Sequence, residues 1–262
     1  MHFTNPQALN QEAGIIDAIF FSPHLDDAVL SSGNQIATYV RAHKKVVVVT
    51  IFSQGNDKLT SISACTFLKQ SGVNQASVLF RRRKKEDINA LRALGVSYVL
   101  HLDYTDGLFR QSKQIGRVYP IYPSFSELFS GCISPKDHGV IRQISHTLTK
   151  IRRQFVRAHT HIYAPLGVGN HMDHIITHQT VSRAFPHAIY WEDVPYRSNS
   201  ETLYSRLAFL GHSKPLHHKI IDTPCFQIKK RAISYYKSQL SGLYQNGLGD
   251  IDYIHEVLYA YI

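Results

Sequence analysis

Apolar positions in this chain follow two periods that alternate along its length. "AIFFS" (18–22) is a short continuous apolar run, the pattern of a strand buried on both faces. In "AVLSSGNQIATYVRAH" (28–43) the apolar residues fall at helical spacing. "KVVVVTIFS" (45–53) is rich in β-branched residues and predicts a second central strand. A polar stretch then leads to "KKEDINALRALG" (84–95), a helix stopped by Gly95 at its C-cap. "SYVLHLD" (97–103) predicts a strand and "YTDG" (104–107) a turn. Residues 108–135 carry Pro, Gly, Ser and Tyr and predict a long excursion, of the kind that often borders a substrate site. The pattern continues with a helix over 138–155, a strand over 161–165, a helix over 172–185 and a strand over 187–193. Two further helices are expected, in "QIKKRAISYYKSQLSGLY" (227–244) and near "YIHEVLYAYI" (253–262).

Strands separated by helices at this spacing imply βαβ units. The expected fold is α/β, a Rossmann-like doubly wound and mostly parallel sheet with helices on both faces. No repeat, low-complexity tract or shift in composition marks a boundary, so one domain over residues 1–262 is expected. No apolar run is long enough to span a bilayer. The start of the chain, "MHFTNPQALNQEAG", lacks a basic end followed by an apolar core, so a cytoplasmic location is expected.

Charge changes this picture only slightly. A net charge of +10 raises the possibility of a nucleic-acid or anionic partner. The densest run, "RRRKKE" (81–86), has no interleaved aromatics and no accompanying nucleic-acid motif, so it reads as a solvated helix start. Cys65, Cys132 and Cys225 are odd in number and far apart, which argues against a disulfide framework or a thiolate zinc site.

The chemistry concentrates at two strand ends. In an open parallel sheet, ligands gather at the carboxyl ends of the strands. "SPHLDD" (22–27) follows the first strand, and "LGVGNHMDH" (166–174) follows the strand over 161–165. A catalytic zinc commonly takes three N or O ligands and keeps one position open. His24 and Asp27 can supply two, and a histidine of the second segment the third. His171, Asp173, His174 and His178 are the candidates there. Asp26 then lies beside the metal without coordinating it, placed to accept a proton from water. His174 and His178 have the i, i+4 spacing of zinc proteases, but no glutamate lies between them. Taken singly, each residue has a plainer account: either aspartate can cap the helix starting near Ala28, and His178 can be a polar residue on an exposed helix face. The joint arrangement of two ligand-rich segments, each between a strand and a helix, favours a metal site.

At these residues the chain resembles the zinc-dependent de-N-acetylases of the PIG-L or LmbE-like family. "PHLDDA" (23–28) is similar to the family's opening P/A-H-P-D-D-E, and "HMDH" (171–174) to its later H-P/x-D-H. "RRKKEDINALRALGVSYVLHLDYTDG" resembles the R-x-x-E helix, strand and Asp-Gly turn between them, and "WEDVPY" (191–196) and "AISYYKSQL" (232–240) resemble later segments. The resemblance implies His24, Asp27 and His174 as zinc ligands and Asp26 as general base. It further implies His171 as the group that stabilises the oxyanion, Asp173 as the carboxylate that orients His171, and Arg83 as a substrate contact. Ala28 stands where the family has Glu, and Leu25 where it has Pro.

The expected reaction is zinc-dependent hydrolysis of the N-acetyl group of an N-acetylglucosamine-type conjugate, a small-molecule partner. Fe²⁺ or Mn²⁺ are alternative ions. Two other classes remain to be separated from it: a sugar-binding module with an altered site, distinguished by lack of turnover, and a basic nucleic-acid binder, distinguished by salt-sensitive retention on DNA without metal.

Overall fold

The computed structural model describes residues 1–3, 15–58, 61–212, 216–221, 224–243 and 255–261. Its main sheet has eight strands in the order β1-β4-β3-β2-β7-β8-β10-β9. These are β1 (His2–Phe3), β2 (Ala18–Ser22), β3 (Val46–Thr50), β4 (Tyr98–His101), β7 (His161–Pro165), β8 (Ile189–Trp191), β9 (Leu216–Ile221) and β10 (Glu256–Tyr261). The pairs from β1 through β8 are parallel, and β10 runs antiparallel to both β8 and β9. A separate hairpin pairs β5 (Gln111–Gln114) with β6 (Arg117–Pro120).

The alternation of side chains across the pleat divides the core in two. In β2 and β3, Ile19, Phe21, Val47 and Val49 enter one apolar cluster. Ala18, Phe20, Val46 and Val48 enter the other. The first cluster is closed by α5 (His138–Phe155), α6 (Met172–Ala184) and α7 (Ser200–Gly211) through Ile144, Leu148, Ile176 and Leu210. The second is closed by α1 (Asp27–Arg41), α3 (Ala76–Ala93) and α8 (Phe226–Ile233) through Val29, Ile36, Leu91 and Ile233. This is the doubly wound α/β arrangement expected from the sequence. Among the described residues, no helix is long and apolar enough to cross a membrane.

Strand order reverses beside β2, whose chain successors β3 and β4 lie on one side while β7 and β8 lie on the other. Such a switch point opens a crevice at the carboxyl ends of the two central strands. The two ligand-rich segments start there, after β2 and after β7.

Several elements differ from the sequence expectation. The polar stretch after β3 holds α2 (Ile62–Gln70), capped by Ser61, whose hydroxyl accepts from the Ala64 N–H. Helix α3 begins at Ala76, eight residues before the expected start, so the basic run lies inside it. Gly95 ends that region in the left-handed conformation (φ 82°), with its N–H bonded to the Arg92 carbonyl. The 108–135 excursion contains the β5–β6 hairpin and the short α4 (Phe125–Leu128). The expected helix over 227–244 is broken into α8 and α9 (Lys237–Leu243).

The expected terminal helix is a strand instead. "EVLYAY" is too short and too rich in β-branched and aromatic residues for a stable helix, and it fills the gap between β8 and β9. Glu256 on this strand reaches into α1, which departs from helical geometry at Ser32 (φ −136°, ψ 21°). Its carboxylate accepts from the Asn34 and Gln35 N–H groups at 2.7 and 2.9 Å, and from Lys229 Nζ at 2.8 Å. Both Lys229 and Glu256 are buried. Glu256→Ala therefore strands a buried ammonium and two helix N–H groups. It is expected to cost about 3–5 kcal/mol in chemical denaturation, whereas Glu256→Gln, which keeps an acceptor, should cost less.

Candidate active site

The β2–α1 turn explains why the chain carries two adjacent aspartates. Neither is needed to cap the helix: Asp26 makes no side-chain cap, and the Ala28 N–H is taken by the Ser22 hydroxyl at 3.0 Å. Asp27 instead turns back, and its Oδ2 accepts from the His24 N–H at 2.8 Å and lies 3.1 Å from His24 Nδ1. Across the crevice, His174 in the first turn of α6 brings Nε2 to 3.3 Å from the same oxygen. A carboxylate oxygen and two imidazole nitrogens from distant segments thus converge on one point.

Each imidazole is held from behind by a second carboxylate. His24 Nε2 lies 3.0 Å from Asp173 Oδ2. His174 Nδ1 lies 2.7 Å from Asp193 Oδ1. Asp193 Oδ2 in turn accepts from the Gly167 and Val168 N–H groups at 2.7 and 2.9 Å. Asp173 is anchored by the Gly107 N–H at 2.8 Å and by the Arg110 guanidinium, which also forms a fork on Asp137 at 2.9 and 3.0 Å.

The carboxylate of Asp173 therefore orients His24 and not His171, contrary to what the resemblance implied. What Asp173 gives His171 is its backbone N–H, donated to Nδ1 at 3.1 Å. That contact places the proton of a neutral His171 ring on Nε2. Burial, with the neighbouring His24 charge, pushes the His171 pKa well below its ordinary value and keeps the ring neutral.

Asp26 projects into the cavity beside this cluster. Arg83 Nη2 is 3.5 Å from its Oδ2. The phase of α3 selects this arginine from the basic run, since Arg83 is buried and Arg81 and Arg82 are exposed. Burial raises the Asp26 pKa to about 6, with Arg83 opposing and Asp27 adding to the rise. Burial acts the same way on Asp27, but the imidazoles of His174 and His24 overcome it and hold Asp27 well below the usual carboxylate range. Burial opposes the charged form of His174, yet Asp27 and Asp193 outweigh it and lift its pKa to about 9. His24 is likewise held well above its ordinary value, Asp173 and Asp27 overriding burial.

The donor set fits a divalent ion. Tetrahedral ligation by N and O at about 2.0–2.1 Å places donors roughly 3.3 Å apart, and the two imidazole nitrogens lie 3.1 and 3.3 Å from Asp27 Oδ2. His174 Nε2 is buried with no hydrogen-bond partner. The ring nitrogens of His24, His171 and His174 also lie close enough to share an ion, as do donors of His24, Asp106 and Asp173. Asp173 is committed to Arg110 and the Gly107 N–H, whereas His24, Asp27, His174 and, through Nε2, His171 remain as candidate donors. His178 is not among them: its Nδ1 faces the Pro165 carbonyl at 3.0 Å, and it is buried against Tyr190, not on an exposed face.

His24, Asp26, Asp27, Arg83, Asp106 and His171 line a cavity of about 300 Å³. Its opposite wall is apolar and aromatic, with Phe67, Leu108, Phe125, Leu128 and Phe129, so the excursion after β4 does border the site. Tyr196 packs on Gly169, where a Cβ would come within 2.5 Å of the ring; glycine at φ 84° leaves that room. Asp193, Arg110, Asp106 and Tyr196 were not singled out from the sequence. Asp193 and Tyr196 lie in "WEDVPY" and Asp106 in the Asp-Gly turn, segments quoted for their resemblance, while Arg110 has no local signal at all.

The family model of GlcNAc-PI de-N-acetylases (PIG-L) matches residues 19–185, more than half of the chain. A 2'-N-acetylparomamine deacetylase from Niallia circulans is 24% identical over 241 residues, covering 86% of this chain and 82% of that protein. Among solved structures, a deacetylase of teicoplanin biosynthesis in its complex with bog superposes with a TM-score of 0.74 at 22% identity, covering 94% of this chain and 97% of that one. The zinc-inhibited form of teicoplanin deacetylase has a TM-score of 0.71 at 21% identity with the same coverage. At such identities these two structures speak for the fold. With the family match spanning both ligand-rich segments, the chain belongs to the GlcNAc-PI de-N-acetylase (PIG-L) family and is a hydrolase of the deacetylase kind.

Proposed function

We propose that this protein removes the acetyl group from the nitrogen of an N-acetylated amino-sugar, using a divalent ion, zinc first among the candidates. The observation that carries the reading is the convergence of His24 Nδ1, Asp27 Oδ2 and His174 Nε2 beside Asp26, whose carboxylate meets only Arg83 at 3.5 Å among the described residues. The deacetylase names of the relatives support an amino-sugar substrate, and the zinc-inhibited relative supports an affinity for zinc in this fold. Strands β1 and β10, near the two ends of the chain, join one sheet, which supports reading residues 1–262 as a single catalytic domain.

The ion, when bound by His24, Asp27 and His174, supplies Lewis acidity and brings the ionisation of water toward neutral pH. The residues around it do the rest. Asp26, unpaired except for the distant end of Arg83, accepts the proton of the attacking water. The carboxyl group so formed returns that proton to the departing amine nitrogen, so amide cleavage ends as acetate and free amine. His171, neutral and protonated at Nε2, donates to the oxygen that becomes anionic when the carbonyl is attacked. Arg83 offers its guanidinium to the substrate while keeping Asp26 from losing its charge entirely. The aromatic wall of Phe125, Phe129 and Tyr196 presents faces on which a sugar ring can lie.

A screen of N-acetylated amino-sugars should find acetate release that stops on chelation and returns with a divalent ion. No release from any of them, with an ion bound, would reject the reading in favour of a binding module. Asp26→Asn should lower kcat by about 10²–10⁴-fold while leaving the bound ion in place; full activity would remove Asp26 from the mechanism. His174→Ala should lose the ion on dialysis and His178→Ala should retain it. Asp193→Ala, which frees the back of His174, should weaken ion binding by about 10–100-fold when measured by competition with a chromogenic chelator.

A further inference from the structure

A second groove lies outside the catalytic cavity, between α6 and α7 and beside the end of β10. It has a volume of about 240 Å³, and its polar lining comes from His178, Gln179, Ser182, Arg183, Arg206 and Tyr261. Among the described residues, no carboxylate borders it. Arg206 is only 7% exposed, yet among the described residues no Asp or Glu lies within ion-pair distance of it. Its Nε donates to the Leu166 carbonyl at 2.8 Å, and its guanidinium stands over the Phe209 ring at 5.6 Å. Its Nη2 is buried with no hydrogen-bond partner. The carboxylate that acts on it most, Asp193, is already engaged by His174 and by two backbone N–H groups.

A buried guanidinium without a counter-charge is expensive, and the protein neither pairs it nor exposes it. Burial alone pulls the Arg206 pKa down. Arg183, one turn beyond Gln179 on α6, adds a second, exposed cation on the same groove. His178 adds no charge, since burial holds its pKa near 3. The Ser182 hydroxyl donates to the Gln179 carbonyl at 3.1 Å and the Tyr261 hydroxyl faces His178 Nε2 at 3.5 Å, which leaves the Gln179 amide to supply neutral donors to the groove. Two arginines with neutral donors and no acid form the usual chemistry of a site for a compact anion with several acceptor oxygens.

We propose that this groove binds a tetrahedral oxyanion, phosphate or sulfate, held between Arg206 and Arg183 and supplied either free or as a monoester. Occupancy gives Arg206 its missing counter-charge. It also braces the Leu166 carbonyl, which precedes the Gly167 and Val168 N–H groups that hold Asp193. The site is independent of the deacetylase reading and stands or falls without it.

The test is thermal denaturation of the full chain in chelator, with inorganic phosphate, sulfate or glucose 6-phosphate titrated against chloride at constant ionic strength. Preferential binding to the folded state should raise the Tm of the wild type in a saturable way, by about 2–4 °C at a severalfold excess over Kd. Arg183→Met and Arg206→Met should flatten that rise, and Arg152→Met, an exposed arginine on α5, should not. A tighter response to the ester than to inorganic phosphate identifies the source as part of a larger ligand, and the reverse identifies a free ion. Should Arg206→Met fail to fold, Arg183→Met decides. No phosphate- or sulfate-specific rise in the wild type, or an unchanged rise in Arg183→Met, overturns the proposal.

Discussion

One carboxylate oxygen, Oδ2 of Asp27, organises the functional end of this protein. It is shared by His24 and His174, which come from opposite sides of the strand-order switch. Each imidazole then needs a partner on its far side, and Asp173 and Asp193 provide it. Those two carboxylates are buried in turn, so they need donors of their own. The Gly107, Gly167 and Val168 N–H groups and Arg110 meet that need. The result is a chain of alternating charge across the loops after β2, β4, β7 and β8. No member can be removed without leaving its neighbour buried and unpaired, which in a low-dielectric interior is costly.

That organisation explains which parts were legible in the sequence. The central strands were, because short continuous apolar runs rich in β-branched residues, bounded by polar segments, are the pattern of strands buried on both faces. The contiguous motifs were legible too, since His24, Asp26 and Asp27 share one turn and His171 and His174 share the start of one helix. Asp193 and Arg110 were not, because each acts alone from its loop and only three-dimensional packing reveals the imidazole or carboxylate it meets. The role of Asp173 was misread for a related reason. The family resemblance implied a pair with His171, but its carboxylate meets the His24 ring across the switch point. The terminal strand failed because a six-residue apolar segment has no periodicity strong enough to separate helix from strand; only its position between β8 and β9 decides.

Position 28, where the family has Glu and this chain has Ala, also becomes interpretable. Ala28 is buried in the apolar cluster under α1, along with Phe20, Trp191 and Val194. Its N–H is already capped by Ser22. A carboxylate is therefore not needed at the helix start for capping, and the surroundings offer an apolar environment to the side chain. The two imidazoles are held from behind by Asp173 on α6 and Asp193 after β8, with Asp106 after β4 lying 3.7 Å from His24 Nε2, so their support comes from these segments and not from α1.

The strong positive charge of the chain belongs to other surfaces than the catalytic cavity. The lining of that cavity sets Asp26, Asp27 and Asp106 against Arg83 and the His24 ring, with His171 neutral, so opposite charges cancel to within one before an ion is added. Arg81, Arg82 and Lys85 of the basic run point to solvent, and an extended polyanion attracted to them finds no aromatic platform within that run for its bases. A balanced polar floor facing a wall of Phe125, Leu128 and Phe129 suits a neutral polar molecule with one apolar face, and a sugar ring has that character. The catalytic cavity selects by shape and hydrogen bonding, therefore, and the net charge of the protein contributes little to what enters it.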